Sequence, residues 1–171
     1  MPRIYILDTG VLVSTWTDKK VESLFVTTPN IIDEVRNRLS RFRAETLFLL
    51  EKMEERTPRE DDVRRVESAS TSSGDRSELS QNDIEIIALA LTISGESSDV
   101  TLVSTDFAVL NTASHLGLKI LDPNKKFGQE ITWVMKCPAC NYKSKAPTRE
   151  TECPVCGTEM RRSPLKKRKI R

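Results

Sequence analysis

Ile4-Tyr-Ile-Leu-Asp-Thr-Gly10 is the stretch whose reading decides the fold. Four apolar residues without alternation, closed by Asp8-Thr9-Gly10, read as a short buried strand that ends in a turn. Working outward, Thr28-Pro29 opens a helix. Thr28 suits the N-cap, and Pro29 suits the first helical position, where a missing N–H costs nothing. Ile31, Ile32, Val35, Leu39 and Phe42 continue it at helical spacing. A second helix is expected over about residues 43–56, with Leu47, Leu50 and Met53 on one face, before Thr57-Pro58 ends it. Ser80-Gln-Asn-Asp83 has the form of a capping box opening a helix to about Ser94. Thr101-Leu-Val-Ser104 is a further strand, Asp106 begins a helix ending near Gly117, and Leu118-Lys-Ile-Leu121 is a last parallel strand. Residues 59–78 are charged and then Ser-rich, and 68–76 read as a mobile loop. Strands alternating with helices imply an α/β fold with a right-handed, mostly parallel sheet.

From Ile131 the pattern changes. All four cysteines lie here, as Cys137-Pro-Ala-Cys140 and Cys153-Pro-Val-Cys156, twelve residues apart. Each Cys-x-x-Cys turn aims two sulfurs at one centre, and two such turns supply the four thiolates of a tetrahedral structural Zn²⁺. Gly157 follows the last cysteine, where a knuckle turn often needs positive φ. Two disulfides or four free thiols are the competing accounts, and an intracellular chain disfavours disulfides. Residues 131–171 carry 11 Lys+Arg against 3 Asp+Glu, whereas residues 1–130 carry 16 against 22. An acidic body suits carboxylate–metal chemistry, and a basic end suits phosphates; a solvated acidic surface with a disordered tail is the plainer alternative. No apolar run approaches the roughly 20 residues of a membrane span, and the first residues lack a signal-peptide layout. A cytoplasmic protein is expected.

Four acids stand where side chains can converge: Asp8 at the end of the first strand, Glu34 in the helix after Thr28, Asp83 in the first turn after Ser80, and Asp106 after the strand 101–104. The carboxyl edge of a parallel sheet is where such folds bind ligands. Four carboxylates drawn together are tolerable around Mg²⁺ or Mn²⁺, which prefer oxygen donors. Taken singly, each has a duller role as a turn, cap or solvated residue. Asp33 and Glu85 point about 100° away from their neighbours on a helix and are set aside. His115, the one histidine, reads as a helix-end residue rather than a ligand or base.

Ile-Leu-Asp8-Thr-Gly-Val-Leu, Pro-Asn-Ile-Ile-Asp-Glu34-Val-Arg, Leu-Ser-Gln-Asn-Asp83-Ile-Glu-Ile-Ile-Ala-Leu-Ala and Val-Ser-Thr-Asp106-Phe-Ala-Val-Leu-Asn111 resemble the successive motifs of PIN-domain nucleases over about residues 3–121. With the four-cysteine ribbon and basic end, the chain resembles the Nin-one-binding (Nob) family, in its short archaeal form. The resemblance implies a PIN-like nuclease domain over residues 1–125, a zinc ribbon over 131–160 and a basic tail over 161–171. It implies that Asp8, Glu34, Asp83 and Asp106 bind catalytic Mn²⁺ or Mg²⁺. It also implies an endoribonuclease that cuts single-stranded pre-rRNA in a pre-ribosomal particle, maturing the 3′ end of small-subunit (16S) rRNA, with ribosome assembly proteins as possible partners. Thr9, Ser104, Thr105 and Asn111 fall in the same motifs, either orienting carboxylates, water or phosphate or serving turns and caps. Lys136, Lys143, Lys145, Arg161, Arg162, Lys166, Lys167, Arg168 and Lys169 are candidate RNA contacts. Tyr142 either stacks on a base or packs over its knuckle. Arg36, Arg38, Arg41 and Arg43 either form a basic rim or a solvated helix face. Two other functions remain open: a non-catalytic RNA-binding assembly factor, and a PIN-type toxin ribonuclease.

Overall fold

The computed structural model describes residues 3–20, 22–145 and 151–170. The first strand, β1 (Ile4–Leu7), is followed by α1 (Thr9–Leu12), β2 (Leu24–Thr27), α2 (Pro29–Glu34), α3 (Arg38–Leu49) and β3 (Met53–Glu55). Then come α4 (Glu60–Ser73), α5 (Gln81–Ser94), β4 (Val100–Val103), α6 (Phe107–His115) and β5 (Ile120–Leu121). These strands form one parallel sheet in the order β3-β2-β1-β4-β5, so the α/β architecture is the expected one. β1 lies at its centre, and its unbroken apolar run fits, since Tyr5, Ile6 and Leu7 are buried. Helix α5 is apolar on nearly every side, and Ile84 and every residue from Ile86 to Ile93 are buried. A helix of that kind must lie inside, and it packs against β1, β4, α4 and α6.

Three expectations are corrected. The helix opened by Thr28-Pro29 ends at Glu34, because Val35 turns extended and Asn37 caps a new helix through the N–H groups of Leu39 and Ser40. Leu39 and Phe42 therefore point to solvent, and Met53 is the buried first residue of an edge strand rather than part of a helix over 43–56. Residues 68–76 are not a mobile loop. Helix α4 runs through Ser73 and stops at left-handed Gly74. Its Ser and Thr hydroxyls fold back onto the carbonyls of Glu67 and Ser70, and small Ser70 and Ser73 are buried where a larger side chain would hold the helix off.

The third correction concerns the basic end. β6 (Gln129–Lys136), β7 (Lys143–Lys145) and β8 (Arg161–Lys169) form an antiparallel sheet in the order β7-β6-β8. Residues 161–169 are thus an ordered edge strand, not a flexible tail. Pro164 is tolerated because β8 is an edge strand with a bulge opposite Thr132 and Trp133. β6 packs on α4 and α6, joining the two sheets. No helix among the described residues is long and apolar enough to cross a membrane.

Candidate active site and cysteine centre

The carboxyl ends of β1 and β4 meet in a chain of hydrogen bonds. Asp8, 8% exposed, caps α1 by accepting the Thr9 N–H at 2.6 Å on Oδ1. Its Oδ2 accepts the Ser104 hydroxyl at 2.5 Å, and Ser104 Oγ accepts the N–H of Asp106 at 3.0 Å. The Thr9 hydroxyl donates to Glu34 Oε2 at 2.8 Å, and Asn82 donates to Glu34 Oε1 at 2.6 Å. Asp83 completes the capping box by accepting the Ser80 N–H on Oδ2. Asp106 caps α6 through Oδ1, to Ala108 and Val109. Oδ1 of Asp83 and Oδ2 of Asp106 have no donor among the described residues. Burial pushes the Asp8 carboxyl above the usual carboxylate range. The hydrogen bonds from Ser104 and Thr9 oppose that shift, and the charges of Asp83 and Asp106 add to it. Asp8 thus feels two of the other three acids.

Thr9, Asn30, Asp33, Glu34, Arg36 and Asn82 line an open cleft of about 650 Å³. Asp33, set aside on helical geometry, lines the cleft with its neighbour, because α2 is only six residues long and ends there. Glu85 also serves its margin, accepting from Asn30 at 2.7 Å. Asn30 and Asn82 carried no signal in the sequence, since an exposed amide belongs to no pattern. Thr105 crowds α1: a Cβ on Gly10 would sit 2.9 Å from its hydroxyl, so any larger residue there would force the Thr105 side chain to shift. Asn111 does not reach the site. It is fully buried, binding Asp75 and both the N–H and C=O of Ile131. His115 sits at the end of α6, its Nε2 3.1 Å from the Ile131 carbonyl and Nδ1 3.7 Å from Glu130. Of the arginines, Arg36 and Arg38 are exposed without a carboxylate partner among the described residues, and Arg41 pairs with Glu45. Arg43 instead ties α3 to the Val13 and Ser14 carbonyls.

The cysteines form a second centre. Cys137 Sγ lies 3.5 Å from Cys156 Sγ and Cys140 Sγ 3.4 Å from Cys153 Sγ, with all four within 4.8 Å. Disulfide sulfurs would sit about 2.05 Å apart, so these are free thiols. A tetrahedral ion with Zn–S bonds of about 2.3 Å has sulfurs about 3.8 Å apart, and the cluster fits that frame. The residue after each second cysteine, Asn141 or Gly157, has positive φ. Thr158 lowers the Cys156 thiol to about 6; at Cys140 the Tyr142 N–H pulls downward but burial and the other thiols prevail, raising it to about 12. Among the described residues, only Met160 and Met135 form a core around the ligands, too little apolar burial to hold a fold alone. Among the described residues this is the one group of metal donors drawn tightly together. The acids stand farther apart, three of them tied into helix caps.

The family model for the PIN domain of ribonuclease matches residues 5–93, just over half the chain and the stretch from β1 into α5. The endoribonuclease Nob1 of Pyrococcus abyssi is 33% identical over 142 residues, covering 83% of this chain and 85% of the relative. The chain belongs to the Nob1 family of PIN-domain endoribonucleases. The Nob1 endoribonuclease of Archaeoglobus fulgidus is 29% identical over 159 residues, covering 91% of this chain and 88% of its own. Ribonuclease VapC1 of Thermoplasma acidophilum is 28% identical over 160 residues, covering 93% and 77%. This Nob1-family chain is a metal-dependent endoribonuclease with RNA as its substrate.

For RNA contacts, two candidates already have other partners. Arg162 is half-buried against Asp75, and Arg168 pairs with buried Glu130 at 2.8 Å. Arg161, Lys166, Lys167 and Lys169 are exposed on β8, Lys143 is exposed on β7, and Lys136 ends β6. None of these six has a carboxylate partner among the described residues. The Lys145 side chain lies outside the described residues. Tyr142 closes its knuckle with a carbonyl that accepts the Cys137 N–H at 2.8 Å, and 36% of the residue stays exposed.

Proposed function

We propose that the chain cuts single-stranded pre-ribosomal RNA in the cytoplasm, maturing the 3′ end of small-subunit (16S) rRNA. Asp8, Glu34, Asp83 and Asp106 hold Mn²⁺ or Mg²⁺, and Cys137, Cys140, Cys153 and Cys156 hold structural Zn²⁺. The nuclease unit spans residues 1–125 and the ribbon 131–160, with 161–171 as the basic end, of which Arg161–Lys169 form a strand. The observation that carries this reading is the hydrogen-bond chain that joins buried Asp8 through Ser104 to Asp106 and through Thr9 to Glu34 at the cleft, in a chain that also has a four-thiol centre and a basic edge. When bound, a divalent cation supplies Lewis acidity at the phosphodiester. The chain's residues prepare its seat. Ser104 and the Thr9 N–H orient Asp8, Thr9 and Asn82 hold Glu34 across the cleft mouth, and the helix caps fix Asp83 and Asp106 with one oxygen each left over. Arg36 at the cleft, with the lysines of β7 and β8, offers cations to the strand's phosphates.

The test is cleavage of an RNA spanning the mature 3′ end, with Mn²⁺ added. Wild type should cut, and Asp8→Asn should lose at least about a hundredfold in rate; equal cutting by both would sink the assignment of the carboxylates, and no cutting by either would leave an RNA-binding assembly factor. A toxin-like nuclease acting on messenger or transfer RNA is separated by neutralising β8 lysines, which should not affect it. Deleting residues 131–171 is a poorer test, because Ile131 anchors Asn111 of the nuclease domain.

A further inference from the structure

Asp75 is completely buried, and nothing in the reading above uses it. It follows Gly74, the left-handed stop of α4, in the short link to Ser80, the cap of α5. Three side chains close on its carboxylate. Ser73 donates to Oδ2 at 2.7 Å, Asn111 to Oδ2 at 2.6 Å, and Arg162 Nη2 to Oδ1 at 2.6 Å. The same Nη2 donates to the Gly74 carbonyl at 2.9 Å, and the guanidinium lies 4.3 Å from the centre of the Trp133 ring. A guanidinium stacked on an aromatic face and bonded to a buried carboxylate is held tightly, and removing it strands the acid.

The position of this contact matters more than its strength. Arg162 lies on β8, opposite Met135 of β6, two residues before the first cysteine. Asp75 lies in the link feeding α5, whose first turn presents Asp83. Asn111 lies on α6, whose cap is Asp106, and binds Ile131 of β6. Phe107, next to Asp106, packs edge-on against Trp133 with centroids 6.5 Å apart. The two helices that present Asp83 and Asp106 are thus tied to the cysteine-bearing sheet through one buried cluster.

We propose that Arg162 is a positioning residue of the nuclease site. By clamping Asp75 it fixes the leading ends of α5 and α6, so that seating of the cysteine-bearing sheet holds Asp83 and Asp106 in register for the cation. The inference rests on the reading of those acids as metal ligands. It makes the nuclease site sensitive to whether the ribbon sheet is docked, through side chains that touch neither RNA nor metal.

The test uses the full zinc-loaded chain and three variants: Arg162→Met, which keeps an apolar stem over Trp133, Asp75→Asn, and the two combined. Arg162→Met should weaken Mn²⁺ binding by calorimetry about tenfold, within the range for groups supporting metal ligands, with zinc content unchanged. Amide exchange should rise across residues 74–83 and 107–111, kcat should fall more than KM rises, and Arg162→Lys should recover part of the loss. The double variant has no stranded charge, so its melting temperature should move back toward wild type while its Mn²⁺ affinity stays low. A merely structural contact predicts instead that affinity recovers with stability. Wild-type Mn²⁺ affinity in Arg162→Met, with faster exchange confined to β8, overturns the proposal. Asp8→Asn and Asp106→Asn run alongside. If they too bind Mn²⁺ normally, the carboxylate reading fails and the positioning role fails with it; if only they lose Mn²⁺, the positioning role alone is wrong.

Discussion

Asp8 holds a charge where water is scarce. Burial raises its pKa, and the neighbouring acids add to the effect despite two hydrogen bonds. A carboxyl whose folded pKa exceeds its unfolded value of about 3.9 stabilises the fold fully only below that value. The contribution is lost as pH rises through the folded pKa, so ionised Asp8 weighs against the metal-free fold at neutral pH. In chelator at pH 7, Asp8→Asn should therefore melt above wild type, and the gap should narrow as the pH falls toward 4. Mn²⁺ should raise the wild-type midpoint and leave that of the variant in place; thermal melts across pH with and without Mn²⁺ measure both. Asp8, Thr9 and Ser104 were legible in the sequence because each stands where a strand meets a turn. Asn82 and Asn30 were not, because they matter only through Glu34 and Glu85, which lie 48 and 55 residues away. Asn111 sat in a site motif yet points the other way, into the cluster around Asp75.

Helix α4 and strand β8 are elements whose local composition conceals their state. Serines favour caps and turns because their hydroxyls compete for backbone groups, and the run from Ser68 to Gly74 looks like a loop for that reason. In the fold those hydroxyls bond back within the helix, and packing against α5 outweighs propensity. The difference is measurable. Ser70→Leu should cost about 1–3 kcal/mol by overpacking a fully buried position, whereas a mobile loop would accept it; urea unfolding of the variant decides. β8 has no alternation of apolar and polar residues to announce it. Its charges suit an edge strand, where lysines discourage pairing with another chain, and its ordering comes from β6 and from Glu130 and Asp75 across the domain.

The whole molecule separates its charges, with acids at the carboxyl edge of the parallel sheet and, among the described residues, lysines without carboxylate partners along the antiparallel one. Cations on a rigid strand hold phosphates at fixed spacing, which a flexible tail cannot do. Replacing Lys166, Lys167 and Lys169 with Ala should weaken binding to single-stranded RNA without moving the Mn²⁺ affinity. The slope of log K against log salt should fall by about 2, at roughly 0.7 per phosphate contact. Fluorescence anisotropy titrations between low and moderate salt test this, and an unchanged slope would place the RNA elsewhere.

The fold class, the thiol centre and the order of the acidic motifs were determined by the sequence itself. Each depends on short-range pattern: an apolar run closed by a turn, cysteines two residues apart, a capping box. Only the tertiary structure decided that β8 is a strand, and that Arg162 and Asn111 tie the cysteine-bearing sheet to the nuclease domain. Those outcomes depend on partners 20 to 88 residues distant, and the free energy of a contact closed across the chain leaves no trace in the local succession of side chains.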